Sequence, residues 1–180
     1  MFLAFSFFAC FLLGVDSFVT TPPAALSTKL DAVITTPAGL GGSSAAAYEF
    51  FPHPADKVWA VLSDWSGPYI TASEAPVSIT SADPGKVGAT RMLTDGETSF
   101  KEELTSLDSE AMTFTYKFVS DSPFPVDKYG GLVTVEKVTD TTCKAIWVGY
   151  CDMTDGLEVK DISLDGLYQS FLDAAQKQLA

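Results

Sequence analysis

The chain has one histidine, His53, and three cysteines in 180 residues. With no second histidine and no Gly-x-Ser-x-Gly element, nothing supports a hydrolase triad. His53 precedes Pro54 and reads as a surface residue at a helix entry rather than as a base. Cys143 and Cys151 lie along one expected strand, where eight residues span roughly 26 Å at 3.3 Å per residue, too far for a disulfide. No CxxC or Cys/His metal spacing occurs, and no glycine-rich loop opens a helix after a strand. No metal and no cofactor is therefore expected. Basic charge is also scarce: 11 Lys and Arg stand against 23 Asp and Glu, a net charge of -12. That balance argues against nucleic acid and anionic membrane surfaces as partners.

Long apolar runs are missing as well. The longest, "FLAFSFFACFLLGV" at residues 2–15, has 14 residues, whereas a spanning helix needs about 20. It fits the h-region of a signal peptide, with Val15 and Ser17 small enough for a cleavage site before Phe18. No stable membrane insertion of the mature chain is expected. Residues 18–44 are rich in Ser, Thr, Ala, Gly and Pro. Between Phe18 and Ala47 they hold one acid, Asp31, and one base, Lys29. The expected organisation is a signal peptide over 1–17, a transit peptide or flexible linker over 18–44, and one folded domain over 45–180.

In that domain, "AAAYEFF" (45–51) reads as a strand and "PADKVWAVLSDW" (54–65) as a helix. Its apolar stripe is Val58, Trp59, Leu62 and Trp65. Strands follow at 76–83, on both sides of the turn Thr94-Asp95-Gly96-Glu97, at 111–119, and in "GGLVTVEKV" and "CKAIWVGYCDM". In "AMTFTYKFV", Met112, Phe114, Tyr116 and Phe118 share one face, a half-buried antiparallel pattern. Leu164, Leu167, Tyr168, Phe171, Leu172, Ala175 and Leu179 recur at helical spacing in a terminal helix over roughly 159–179. The expected class is α+β: a curved antiparallel sheet of six to seven strands wrapped on a long C-terminal helix, with one or two short helices after the first strand.

Two charges stand in apolar rows. Arg91 alternates with Val87, Ala89 and Leu93, and Glu102 with Phe100 and Leu104. With Leu93 facing Thr98, the two become diagonal neighbours on one face. Either they brace the sheet as an ion pair, or they line a pocket, with Arg91 holding a ligand oxygen and Glu102 moving a proton. Tyr116 and Tyr129 read as core aromatics or as hydrogen-bond donors to a ligand, and Trp147 as core or pocket wall.

The order of elements, together with "PADKVWAVLSDW", "KVGATRMLTDG", "KEELTSLD", "FTYKF", "SPFPVDKYGG" and "AIWVGY", resembles the SRPBCC superfamily of START- and birch-allergen-like proteins. It is most similar to the polyketide cyclase/dehydrase type, which includes the lachrymatory-factor synthases. The resemblance implies a helix-grip fold. It also implies a cavity for a small hydrophobic ligand lined by Phe100, Phe114, Tyr116, Tyr129 and Trp147. Arg91 and Glu102 match the synthases' catalytic pair. Three functions follow: binding or transfer of a lipid, isoprenoid, quinone or polyketide-like ligand; a cofactor-independent cyclase, dehydratase or isomerase; or a scaffold with a filled cavity.

The N-terminal stretch resembles the bipartite presequence of algae with secondary red plastids, with Phe18 matching the Phe of that pattern. Plastid delivery through the secretory route is the expected destination, and secretion the alternative. Fused to a fluorescent protein, residues 1–47 should direct it to the plastid, and Phe18→Ala should divert it. Secretion of the unaltered fusion would overturn the plastid expectation.

Overall fold

Alternation of apolar and polar residues produces half-buried strands in this chain, as Thr113–Phe118 illustrates. Phe114 and Tyr116 are buried there while Lys117 is exposed. The structure is a computed structural model that describes residues 36–122, 125–154, 156–158 and 162–180. The expected signal segment and most of the expected transit segment lie outside these. Seven strands run in chain order: β1 (Ser43–Phe51), β2 (Val77–Ala82), β3 (Thr90–Asp95), β4 (Thr98–Asp108), β5 (Thr113–Phe118), β6 (Val126–Lys137) and β7 (Cys143–Met153). They form one antiparallel sheet in the order β1-β7-β6-β5-β4-β3-β2. Helices α1 (Ala55–Leu62) and α2 (Pro68–Thr71) follow β1, and α3 (Leu164–Leu179) closes the chain. This is the helix-grip arrangement, and Thr36–Ala180 make up one compact unit.

One face of the sheet carries the core. Leu104, Tyr116, Gly131 and Gly149 form one cross-strand row, and Phe114, Val133, Trp147 and Ala47 the next. Helix α3 lies over the rows near β1 and β7, burying Leu164, Tyr168, Phe171, Leu172 and Ala175 at helical spacing. Trp147 stacks on Tyr168 at 5.5 Å between ring centres, and its ring lies 5.4 Å from that of Phe171. Leu167 is only half-buried; Tyr168 is the inward residue of that turn.

Several boundaries differ from expectation for identifiable reasons. Helix α1 stops at Leu62 instead of running to Trp65. Asp64 Oδ1 accepts hydrogen bonds from the Ser66 amide at 3.0 Å and the Ser66 hydroxyl at 2.6 Å. Gly67 then turns left-handed at φ 59°. Such local bonding competes with the helix, and it delivers Trp65 to the interior from a loop. Val87, expected in the apolar row, is 60% exposed because β3 begins only at Thr90. Met112 sits in a turn at φ 50°, outside β5. The expected domain start at 45 falls inside β1. Ahead of that strand, the Gly41 amide donates to the Lys128 carbonyl at 3.0 Å and the Gly42 amide to Asp152 Oδ1 at 2.8 Å.

Phe171 is 4% exposed, so Phe171→Ala should cost about 3–5 kcal/mol in denaturant unfolding. A loss near zero would show that α3 is not gripped by the sheet.

Candidate functional site

The hairpin of β3 and β4 places the two inward charges. Its loop is Gly96-Glu97, with Asp95 paired to Thr98. Gly96 takes φ 58° at the first central position, the place where a two-residue loop reserves glycine to match strand twist. The expected turn lay one residue earlier. The correct register moves the pairing by two, which preserves every face but sets Leu93 against Phe100 and Arg91 directly against Glu102. Arg91 Nε donates to Glu102 Oε2 at 2.7 Å, with the two residues 2% and 3% exposed. Arg91 is the only arginine in the chain.

Aromatic rings enclose this pair. The Arg91 guanidinium carbon lies 4.0 Å from the centre of the Trp65 ring and 5.6 Å from that of Tyr116, a cation–π arrangement. Tyr69 donates to the Leu62 carbonyl at 3.2 Å. Burial pushes the Glu102 carboxyl up from its ordinary range while Arg91 pulls it back. Burial pulls Arg91 down, but Glu102 and the nearby phenols outweigh it and hold the guanidinium charged. Among the described residues three buried polar side-chain atoms have no hydrogen-bond partner: Arg91 Nη1, Trp65 Nε1 and the Tyr150 hydroxyl. Buried donors in folded proteins are nearly always satisfied, and two of these three vacancies lie side by side at this site.

Next to it runs a set of buried hydroxyls. Trp147 Nε1 donates to Tyr116 Oη at 2.9 Å, and the Tyr129 and Tyr168 hydroxyls share a hydrogen bond of 2.6 Å. Gly131 and Gly149 face each other across β6 and β7. A Cβ on Gly131 would meet the Tyr116 hydroxyl, and one on Gly149 the Tyr168 hydroxyl. The missing side chains make the notch that both phenols fill.

A cleft of about 360 Å³ opens at the end of the sheet, between the loop after β5 and the start of β6. Its rim is polar, with Ser120, Asp121, Ser122, Asp127, Lys128 and Thr154, and Phe118 and Tyr129 form its aromatic wall. Their rings are 4.3 Å apart. Of the residues expected to bind ligand, Tyr129 lines this cleft. Tyr116 lies inward of it at 6.4 Å between ring centres. Phe100 packs on Phe118 at 5.0 Å, Phe114 on Trp59 at 6.1 Å, and Trp147 belongs to the core under α3. Trp65, Tyr69 and Phe118 were not singled out as site residues from sequence. Trp65 reads there as one more residue of a helical stripe, and only its exit from the helix brings it over Arg91.

His53 is half-buried at the entry to α1. Among the described residues no group of three His, Cys, Asp or Glu side chains converges as a metal site. No described helix is long and apolar enough to cross a membrane. Cys143 and Cys151 are free and buried, and burial pushes the Cys143 thiol up to about 11.

A family model described as polyketide cyclase/dehydrase and lipid transport matches residues 49–180. The chain is also similar in structure to norcoclaurine synthase from Thalictrum flavum, solved with dopamine and hydroxybenzaldehyde. There the identity is 16%, the TM-score 0.63, and the match covers 78% of this chain and 88% of that one. The protein XoxI from Bacillus cereus matches at 18% identity and TM-score 0.63, over 76% and 95% of the two chains. A Thermobifida fusca protein matches at 24% identity and TM-score 0.61, over 75% and 91%. These likenesses are of fold. No match was found among curated proteins.

Burial raises the Tyr116, Tyr129 and Tyr168 phenols well above 10.0. A raised native pKa means stability that is fully present below the unfolded value and lost as pH climbs past it. Tyrosinate absorbance from these three should therefore stay absent near pH 10 and appear together with loss of near-UV dichroism above it. Smooth ionisation of all six tyrosines near pH 10 with the fold intact would contradict this.

Proposed function

The chain belongs to the polyketide cyclase/dehydrase and lipid transport family, and from that footing we propose that it binds a small hydrophobic ligand for transfer or sequestration. The ligand class is a lipid, isoprenoid, quinone or polyketide-like molecule, held between the sheet and α3. The observation that carries this reading is the pair of unpartnered buried donors on Arg91 and Trp65, beside a cleft whose wall residue Tyr129 packs on Tyr116. At about 360 Å³ that cleft falls at the small end of ligand pockets, roughly 300–1,000 Å³. Delivery to a plastid, as the N-terminal sequence pattern implies, would make isoprenoids and quinones the nearest supply.

A second reading, catalysis without a cofactor, draws on Glu102. Its carboxyl is pushed up by burial and sits 2.7 Å from a fixed cation, which suits a group that takes a proton from a ligand polarised by Arg91. Turnover of a bound ligand separates this reading from simple binding. In the scaffold alternative the aromatic interior exists only to stabilise the fold, and no ligand is retained.

The test is native mass spectrometry of protein from its own source, beside variants. Removing one partner of a buried pair costs about 3–5 kcal/mol, whereas neutralising both is often tolerated. Arg91→Leu or Glu102→Gln alone should therefore destabilise. The double variant should keep near-normal stability and lose the co-purifying ligand. A double variant that retains its ligand would make the pair structural, and wild-type protein that carries no ligand would favour the scaffold.

A further inference from the structure

The vacant donors and the ion pair together define which ligand the site accepts. Arg91 Nη1 and Trp65 Nε1 belong to two groups stacked 4.0 Å apart, guanidinium carbon to ring centre, and both are buried without a partner. The guanidinium charge, however, is already matched by Glu102 at 2.7 Å. What remains on offer is hydrogen-bond donation with no net positive charge behind it.

On the ligand-binding reading above, we infer that the ligand carries a neutral carbonyl oxygen, received by Arg91 Nη1 and Trp65 Nε1, and that carboxylate ligands of the same shape are rejected. A carboxylate would be a second buried anion beside Glu102, with one guanidinium to serve both. Like charges sharing a buried site cannot both ionise without penalty. The net charge of -12 adds to the repulsion. A ketone, ester or quinone oxygen accepts both donors and adds no charge, which satisfies groups otherwise left dry and unpaired. The rest of such a ligand needs apolar walls, and the rings of Trp65 and Tyr116 over Arg91 supply them. Phe118 and Tyr129 stand between the cleft and Tyr116, with ring centres 4.3 and 6.4 Å apart, so a ligand that reaches Arg91 has to part these rings.

Titration calorimetry of the full chain with three naphthalenes of one ring size tests the inference. These are 2-acetylnaphthalene with a neutral carbonyl, 2-naphthoate with a carboxylate, and 2-ethylnaphthalene with no acceptor. The ketone should bind about tenfold more tightly than either of the others. Trp65→Phe keeps the ring and removes one donor, so the ketone's advantage should fall to about threefold with the hydrocarbon's affinity unchanged. Arg91→Lys keeps the charge toward Glu102 and removes Nη1, and it should also erode the advantage; thermal unfolding checks that both variants fold. Naphthoate binding as tightly as the ketone would overturn the charge argument. Equal binding of ketone and hydrocarbon would show that the donors serve buried water only. Failure of all three probes to bind would instead sink the ligand-binding reading on which the inference rests.

Discussion

Arg91 and Glu102 meet at 2.7 Å inside a core otherwise made of rings and aliphatic chains. Much of the surrounding structure answers to the cost of keeping them there. Dehydrating two ions costs several kcal/mol each, and their attraction repays this only when the geometry is right. The geometry is set by a two-residue loop at Gly96-Glu97, which fixes the register to a direct pair rather than a diagonal one. Cover comes from Trp65, whose ring centre lies 4.0 Å from the guanidinium carbon. That cover exists only because Asp64 and Gly67 end α1 early. The loop between two short helices is thus as much a part of the site as the strands.

The same economy governs the tyrosines beside the pair. Each buried phenol of this set reaches another ring's polar atom, so that Trp147, Tyr116, Tyr129 and Tyr168 satisfy one another in two hydrogen bonds. Buried hydroxyls need such partners. Against that background the vacancies on Arg91 Nη1 and Trp65 Nε1 are informative: among the described residues, two of the three open buried polar atoms lie side by side. Tyr116 joins the two halves of the site, its ring centre 5.6 Å from the Arg91 guanidinium carbon and 6.4 Å from that of Tyr129 in the cleft wall.

Much of this was legible in the sequence. Period-two alternation in "AMTFTYKFV" and the helical spacing of Tyr168, Phe171 and Leu172 were enough for the sheet and its gripped helix. The charges at 91 and 102 stood out because apolar rows rarely carry them. What escaped the sequence depended on single backbone torsions and local side-chain bonds. Periodicity continues through Trp65, while the Asp64–Ser66 hydrogen bonds stop the helix at Leu62. Periodicity likewise places Val87 in the row, while the strand starts three residues later. The hairpin register differs by two for the same kind of reason: the sequence marks a turn around Gly96 but not which position of the turn the glycine takes. The cleft was beyond reach because residues 118–122 and 126–129 meet where a strand ends and a bulge begins, and neither leaves a periodic trace.

The glycines that face each other at 131 and 149 tie distant positions into units of inheritance. An alanine at either would drive a methyl group into a phenol already held by a hydrogen bond. Neither glycine can gain a side chain unless its tyrosine, at 116 or 168, is cut back in the same lineage. Loss of a tyrosine leaves a hollow beneath a glycine and orphans the partner on its far side. Sequence drift across β5, β6, β7 and α3 is therefore coupled through four residues that no local pattern connects. Divergent relatives should change them as matched sets rather than one at a time.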